Sequence, residues 1–189
     1  IHTSNKYIRT LMNGTDVEDA YQNLKIEGDI QKSGKINTVL KPNQTVLIQI
    51  AKEPISSKGP RISSEISFAG RYMVLLPFAD KISVSQKIKS AEERKRLKRL
   101  ITSIKPPNYG LIVRTMAEDR KVAELDADLR NLVSKWESIH SKITQKTKIP
   151  AKVHSELDRT STILRDLLNE SFNSIKINDG TVAQEIKNY

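Results

Sequence analysis

The chain has 189 residues, no cysteine and a formal net charge of +10 at pH 7. The lack of cysteine excludes disulfide scaffolds, thiolate zinc sites, iron–sulfur clusters and cysteine nucleophiles. No apolar run approaches the roughly 20 residues that a membrane span needs, and the positive excess favours polyanionic partners such as nucleic acid. Ile1 in place of Met, and a helix-like pattern still open at Tyr189, lead us to expect a piece of a larger protein.

The first half of the chain predicts strands. Residues 1–37 are polar and without sustained periodicity, so we expect a surface insertion or a long loop there. Runs of β-branched and apolar residues bounded by Pro and Gly predict four strands, at residues 45–51, 64–68, 71–76 and 82–85. Because residues 73–76 are all apolar, we expect that strand to be covered on both faces.

The basic residues concentrate in one short segment. Residues 81–99 carry eight Lys or Arg against Glu92 and Glu93, a net charge of +6. Ser90 and Glu93 form the pattern of a capping box, and the apolar spacing over residues 97–104 predicts an amphipathic helix that a proline pair ends. One interpretation is a solvated helix face. The other is a polyanion-binding surface, because so one-sided a helix has few i,i+4 partners.

The second half of the chain is mostly helical in pattern. Residues 110–115 predict a strand whose last two residues are polar. A long amphipathic helix with Trp136 in its apolar stripe follows. After this helix, polar and small residues predict the caps and breaks that separate the remaining helices and strands. The predicted order is a helix over 119–143, a linker over 144–150, a helix over 157–168, a strand over 174–177, a turn over 178–180 and a helix capped by Thr181.

Metal and catalytic signatures are weak. The histidines, at positions 2, 140 and 154, have no second ligand at metal-binding spacing. Glu124 and Asp128 share a helical face that could hold Mg²⁺, but a solvated face beside Lys121 and Arg130 is the simpler interpretation. No nucleophile elbow, Walker loop or dinucleotide fingerprint is present.

Arg114 and Thr115, at the end of a predicted strand, are the more interesting pair. An arginine offers a planar fork suited to a phosphate, and an adjacent hydroxyl can bind another phosphate oxygen. The same pair is also compatible with a simple salt bridge and turn. From spacing alone, both interpretations stay open.

Five segments, taken in order, resemble the ribonuclease E/G family of bacterial endoribonucleases. They are residues 46–54 (VLIQIAKEP), 58–61 (KGPR), 66–75 (ISFAGRYMVL), 110–115 (GLIVRT) and 125–129 with Trp136. The resemblance covers about residues 38–189 and implies an α+β fold. Closing strands of an OB-type S1 barrel would occupy 38–65, with 1–37 as an insertion or long loop in that domain. A mixed α/β 5′-sensor subdomain with two to three amphipathic helices would occupy 66–160, and the start of an RNase H-like subdomain 161–189.

The resemblance also implies site residues. Members of this family cleave single-stranded RNA with magnesium in RNA processing and decay, and their sensor subdomain binds a 5′-monophosphate. The matching 5′-phosphate-binding residues here are Arg114, Thr115, Gly70 and Val74, and the matching RNA-binding positions are Lys58, Arg61, Gln86 and Lys87. Many members have two arginines where this chain has Gln86 and Lys87, so one backbone contact departs from the family pattern.

The parent protein implied is a cytoplasmic, homo-oligomeric endoribonuclease without a membrane partner. The family's magnesium-binding carboxylates and zinc-linking cysteines lie beyond the last residue of this chain. We therefore expect the chain to bind single-stranded RNA with a 5′-monophosphate, and to contain no catalytic residue and no metal site of its own.

Two other classes stay open. A non-catalytic RNA-binding or ribosome-associated module with a basic helix would show the same charge pattern, and the parent sequence after Tyr189 would distinguish it. A membrane-surface module would use the helix predicted from Ser90 to Ile104. Its apolar face has four aliphatic residues and no Trp or Phe, a poor interfacial anchor.

Overall fold

The computed structural model describes residues 35–38, 42–43, 45–144, 150–155, 159–169 and 171–187. The insertion or long loop predicted at 1–37 therefore lies almost entirely outside the described residues, which begin at Lys35 and a short 3-10 helix, Ile36–Thr38. The chain forms two compact units, Ile1–His140 and Ser141–Tyr189. The domain boundaries expected near residues 65 and 160 stay a prediction.

A two-stranded antiparallel sheet comes first. β1 (Gln49–Lys52) pairs with β2 (Arg61–Ser63), so the strand predicted over 45–51 begins four residues later than expected. The Gln49 side chain exchanges two hydrogen bonds, of 3.1 and 2.9 Å, with the backbone of Ser67, which ties β1 to the chain entering the next sheet. The S1 barrel predicted for this region stays a prediction.

The central sheet has four strands in the order β3-β4-β6-β5. β3–β4 and β4–β6 are antiparallel, and β5–β6 is parallel. The strands predicted over 71–76, 82–85 and 110–115 are confirmed, although each is shorter than its sequence pattern, whereas β3 overlaps the strand predicted over 64–68 only at Phe68. Their bounds are Phe68–Ala69 for β3, Met73–Leu76 for β4, Ile82–Val84 for β5 and Gly110–Val113 for β6.

Four α-helices lie within the described residues: α1 (Ala91–Ile104), α2 (Val122–Thr144), α3 (Arg159–Leu167) and α4 (Gly180–Lys187). A helix was expected at each of these places. The strand predicted over 174–177 is wrong, because in the described part of the chain those residues pair with no strand. α4 is capped by Asp179 rather than by Thr181. The Asp179 carboxylate accepts from the backbone N–H groups of Thr181 and Val182 at 2.9 and 3.0 Å.

The start of α1 forms half of the predicted capping box. The Ser90 hydroxyl accepts from the Glu93 N–H at 3.2 Å, as expected of an N-cap. The Glu93 carboxylate turns instead to Arg96, at 2.6 and 2.7 Å, and to the Asp119 N–H at 3.0 Å. The charged Arg96 guanidinium, about one turn along the helix, is a stronger partner for this carboxylate than the Ser90 N–H of a complete capping box.

The core lies on one face of the central sheet. The inward residues of β4 and β6 are fully buried, together with Leu97 of α1 and Leu125 of α2. Trp136 of α2 lies against Phe68 and Phe78, with ring centroids 5.9 and 5.2 Å apart. The expectation that β4 is covered on both faces is confirmed in full for one face only, because its residues alternate between buried and half-buried. The other face is therefore partly open.

Candidate phosphate-binding site

Arg114 comes directly after β6, beside the turn that joins β3 to β4. Its backbone N–H donates to the Tyr72 carbonyl at 2.8 Å, which extends the β4–β6 pairing by one residue. Its Nη1 donates to the Gly70 carbonyl at 2.6 Å. Side chains alternate along a strand and Val113 is fully buried, so Arg114 falls on the more open face, with Ile112.

Asp128, on α2, holds the β3–β4 turn through three backbone hydrogen bonds. Its Oδ1 accepts from the Arg71 N–H at 3.1 Å, and its Oδ2 accepts from the N–H groups of Tyr72 and Met73 at 2.9 and 3.2 Å. Hydrogen bonds to an ionised acceptor are roughly twice as strong as neutral ones. The helix thereby fixes the carbonyl of Gly70, which is the partner of the strand-end arginine.

Gly70 is required by the close approach of this carboxylate. A Cβ built at Gly70 would lie 2.6 Å from both carboxylate oxygens of Asp128. Those oxygens are the far end of a short side chain, but the three N–H bonds prevent them from moving away at low cost. A residue without a Cβ is therefore needed for the turn and the helix to approach this closely.

The same turn carries an aromatic ring flanked by two guanidinium groups. Those of Arg71 and Arg120 lie 5.8 and 5.9 Å from the Tyr72 ring centroid, within cation–π range. The Tyr72 hydroxyl donates to Glu124 at 3.3 Å. The pKa of Glu124 is lowered, first by the Lys121 N–H that donates to it and then by the Tyr72 hydroxyl and nearby positive charges. Glu124 is therefore ionised at neutral pH.

The other two residues expected at this site lie close by. Val74 is half-buried and pairs across the sheet with Ala69, the residue before Gly70. Thr115 is half-buried and begins a 3-10 turn, Thr115–Ala117, immediately after the arginine. The fold thus brings Gly70, Val74 and Arg114 to one end of the sheet, with Thr115 next in the chain.

The residues expected to contact RNA elsewhere are exposed and fall into two groups. Lys58 and Arg61 belong to the β1–β2 hairpin, where Lys58 closes a tight turn with Ile55. Gln86 and Lys87 follow β5 in the central sheet. The Lys87 N–H donates to the Ser85 hydroxyl at 3.3 Å, which shapes the bend after that strand.

Magnesium does not fit the described residues. Among them, no group of three or more His, Cys, Asp or Glu side chains could hold a metal ion. Glu124 and Asp128, which share a helical face, both accept hydrogen bonds from the chain. The Glu124 side chain is 39% exposed, so the solvated face expected here is present at Glu124, whereas Asp128 is bound to the β3–β4 turn.

The two histidines within the described residues, His140 and His154, belong to no group of three or more side chains that could hold a metal ion. His140 lies beside Trp136, with ring centroids 6.0 Å apart, and burial lowers the pKa of its imidazole. His154 is exposed, and His2 lies outside the described residues.

Sequence reasoning missed Asp128 and Tyr72 as parts of this site. The available signal was the position of Asp128 at the edge of an apolar stripe, three residues after buried Leu125 and one before buried Leu129. A carboxylate at such a margin is well placed to bind backbone groups of a neighbouring element. Its partners are 55 to 57 residues away in the chain, and only the fold brings them there.

Comparison with known proteins gives one family. A family model described as "Ribonuclease E/G family" matches residues 67–189. Ribonuclease E of a Nostoc species is 38% identical over 154 residues, which cover 82% of this chain and 22% of that protein. Ribonuclease E of a Synechocystis species is 38% identical over 155 residues, covering 82% and 23%. Ribonuclease G of Escherichia coli is 31% identical over 145 residues, covering 75% and 29%.

The chain is an α+β protein that belongs to the ribonuclease E/G family. It spans between 22% and 29% of the length of these three relatives. A solved structure of a Staphylococcus aureus RNase P protein mutant matches 38% of this chain at 21% identity and a TM-score of 0.31, a score at which two chains need not share a fold. Across the described ranges, every helix is too short or too polar to cross a bilayer.

Proposed function

We propose that this chain is the part of an endoribonuclease that binds single-stranded RNA and recognises its 5′-monophosphate. Membership of a family whose relatives are named ribonucleases supports an RNA substrate. The observation that carries the proposal is the 2.6 Å hydrogen bond that holds the Arg114 guanidinium against the Gly70 turn. That bond orients a cation beside a partly open sheet face, where a terminal phosphate can approach.

The recognition step uses charge and shape together. The guanidinium of Arg114 is a planar fork that matches the oxygens of a phosphate. Because Gly70 already orients it, less side-chain entropy is lost when the phosphate binds. The Thr115 hydroxyl takes another phosphate oxygen, Val74 contacts the terminal nucleoside, and the bare Gly70 backbone allows close approach. A triphosphate fits less well, because the site is built for one phosphoryl group.

Binding of short RNAs that differ only at the 5′ end tests this proposal. We expect the 189-residue chain to bind a 5′-monophosphorylated ten-nucleotide RNA about tenfold more tightly than the 5′-hydroxyl RNA, since one charge-assisted hydrogen bond contributes about 1.5–3 kcal/mol. Arg114→Ala should bring this ratio close to one. Arg114→Lys keeps the charge but not the fork and should give an intermediate ratio.

A matched control removes an exposed arginine elsewhere in the same unit. Arg130 pairs with Asp126 at 2.6 Å on the surface of α2, with 79% of its side chain exposed. Arg130→Ala should lower the affinity for both RNAs slightly and leave their ratio unchanged. Equal binding of the two RNAs by the wild type, or an unchanged ratio in Arg114→Ala, would contradict 5′-phosphate recognition.

We propose, for the parent protein, a cytoplasmic homo-oligomer that hydrolyses single-stranded RNA with Mg²⁺ held by carboxylates outside this chain, in RNA processing and decay. The closing strands of an S1 domain would lie before residue 66 and an RNase H-like subdomain would begin near 161. In the full-length protein, EDTA should abolish cleavage while the 5′-monophosphate preference in binding persists. Cleavage that continues in EDTA would overturn the metal assignment and leave the binding proposal standing.

A further inference from the structure

We propose that the groove between β5 and α1 is a second phosphate-binding site, which takes backbone phosphates of the RNA strand whose 5′ end lies at Arg114. The groove has a volume of about 390 Å³. The side chains that matter for binding are Ser83, Gln86, Arg94, Lys95 and Lys98, all of which line it. This inference rests on the proposed function for its RNA partner.

The charge of the groove is one-sided. Arg94 and Lys98 are one helical turn apart and therefore share a face, and Lys95 lies beside them. Like charges at this spacing destabilise a helix unless an anion offsets them. The nearby carboxylate of Glu93 does not serve that role, because it is committed to Arg96 and to the Asp119 N–H.

The groove wall is held in place before any ligand binds. The Arg94 guanidinium donates from Nη1 to the carbonyls of Ile88 and Lys89, the latter at 2.9 Å. Ile88 is fully buried, and its N–H donates to the Ser85 carbonyl at 3.2 Å. The segment that leads from β5 into α1 therefore positions the Arg94 guanidinium, which reduces the side-chain entropy that Arg94 loses when a phosphate binds.

The groove and the Arg114 site adjoin at one end of the sheet. β5 is an edge strand and runs parallel to β6, so both strands end on the same side. The Ser85 N–H donates to the Val113 carbonyl at 2.9 Å, which places Gln86 one strand away from Arg114. Neighbouring strands are about 4.8 Å apart. A single RNA strand held at Arg114 can therefore continue into the groove.

RNA is the occupant that the side chains favour. Lysine, arginine, serine and glutamine are the residues that commonly bind phosphate oxygens and position a nucleic acid without reading its bases. An acidic peptide added to the β5 edge would use the same groove. The continuity with the Arg114 site favours a phosphate backbone instead.

A charge inserted into the groove tests this assignment without removing any lysine. Ser83 is exposed on β5, so Ser83→Glu introduces a negative charge there and Ser83→Gln is its neutral control of the same size. With a 20-nucleotide single-stranded RNA, we expect Ser83→Glu to bind about tenfold more weakly than Ser83→Gln at 0.1 M salt. The loss should be equal for 5′-monophosphate and 5′-hydroxyl RNA.

A second pair of variants measures how many RNA phosphates the groove contacts. Lys95→Gln with Lys98→Gln should reduce the slope of log affinity against log salt by about 1.4, since each phosphate contact on a single strand contributes about 0.7. Arg130→Gln with Lys135→Gln removes two charges from exposed positions on α2 that do not line the groove and should change the slope by much less.

The outcomes separate this inference from the proposed function. A loss equal for both RNAs, with the 5′-monophosphate ratio intact, supports the groove. Affinities unchanged in Ser83→Glu, or a slope change no larger than in the control pair, would overturn it. Retained RNA affinity in Ser83→Glu together with binding of a polyglutamate peptide by the wild type would assign the groove to an acidic protein segment. The proposed function fails on a different measurement, a 5′-monophosphate ratio of one in the wild type.

Discussion

Asp128 is the residue on which the geometry of the Arg114 site depends. Its carboxylate satisfies three successive N–H groups of the β3–β4 turn, so the turn is held by a helix that begins about fifty residues later in the chain. The β3–β4 turn also places the Gly70 carbonyl where it accepts a hydrogen bond from Arg114. The proposed recognition of a 5′-phosphate by Arg114 therefore depends on a hydrogen-bonded contact between Asp128 and the turn, away from the phosphate itself.

Gly70→Ala should disrupt this contact and lower both stability and 5′-phosphate preference. The new Cβ would lie 2.6 Å from two carboxylate oxygens that cannot shift without losing their N–H partners. We expect the free energy of unfolding to fall by about 1–3 kcal/mol, as for other overpacked sites. Urea denaturation measures the first effect, and the ratio of affinities for the two 5′ ends measures the second.

Gly59→Ala is the matched control for this substitution. A Cβ at Gly59 meets no atom within 4 Å, so its stability should change by less than about 0.5 kcal/mol. A Gly70→Ala protein as stable as Gly59→Ala, with its 5′-phosphate preference intact, would show that the carboxylate does not constrain the turn.

The candidate site could be predicted only in part at this scale. Arg114 was identifiable because it lies in a segment that resembles the family; the polar pair after an apolar strand by itself left two interpretations open. Asp128 was not, because its role depends on tertiary contacts across more than fifty residues. Its helical neighbours Lys121 and Arg130 instead favoured a solvated ion-pair face.

At the scale of elements, Glu93 connects α1 to the segment that leads into α2. Its carboxylate binds Arg96 in the helix and the Asp119 N–H, and Arg96 also donates to the Arg120 carbonyl at 3.2 Å. The hydrogen bond from Arg96 is the main reason that the pKa of Glu93 lies below its ordinary value of 4.5; burial opposes this effect.

Glu93→Gln should make the free energy of unfolding less dependent on pH below about pH 5. Because the pKa of Glu93 is lower in the folded chain than in the unfolded chain, its contribution is complete above about pH 4.5 and is lost as the pH falls through the folded value. The wild type should therefore lose more unfolding free energy than Glu93→Gln when urea titrations are compared at pH 6 and pH 3. Glu92→Gln, at the exposed neighbouring position, is the control, and identical pH profiles for Glu93→Gln and wild type would contradict the linkage.

Helices and strands differed in how well the sequence located them. The helices were predictable because their apolar spacing extends over several turns and their N-caps are local, as at Ser90. Strands were harder because pairing decides them. Residues 174–177 have an apolar and polar pattern suited to a strand but join no sheet in the described part of the chain. Residues 73–76 form a strand that is buried on one face and half-buried on the other.

For the whole molecule, the net charge of +10 is distributed unevenly. The stretch over residues 81–99 supplies most of the excess and contains every residue that lines the β5–α1 groove. The Arg114 site lies at the end of the sheet where β5 ends, next to Gln86. In the proposed mode of binding, this charge attracts the phosphates along the RNA strand, and Arg114 makes the specific contact with the 5′ end.

The wild-type chain should therefore bind single-stranded RNA with a steep salt dependence. Three or more backbone phosphates neutralised along the groove predict a slope of log affinity against log salt of about −2 or steeper, at roughly 0.7 per phosphate. Anisotropy titrations of a 20-nucleotide 5′-hydroxyl RNA between 0.05 and 0.3 M salt, about the range in which such slopes are measured, would give this value. A peptide nucleic acid of the same sequence has the bases without the charges and should bind weakly at every salt concentration. A shallow slope for RNA, or equal affinity for the uncharged analogue, would show that base contacts and not the charge distribution hold the strand.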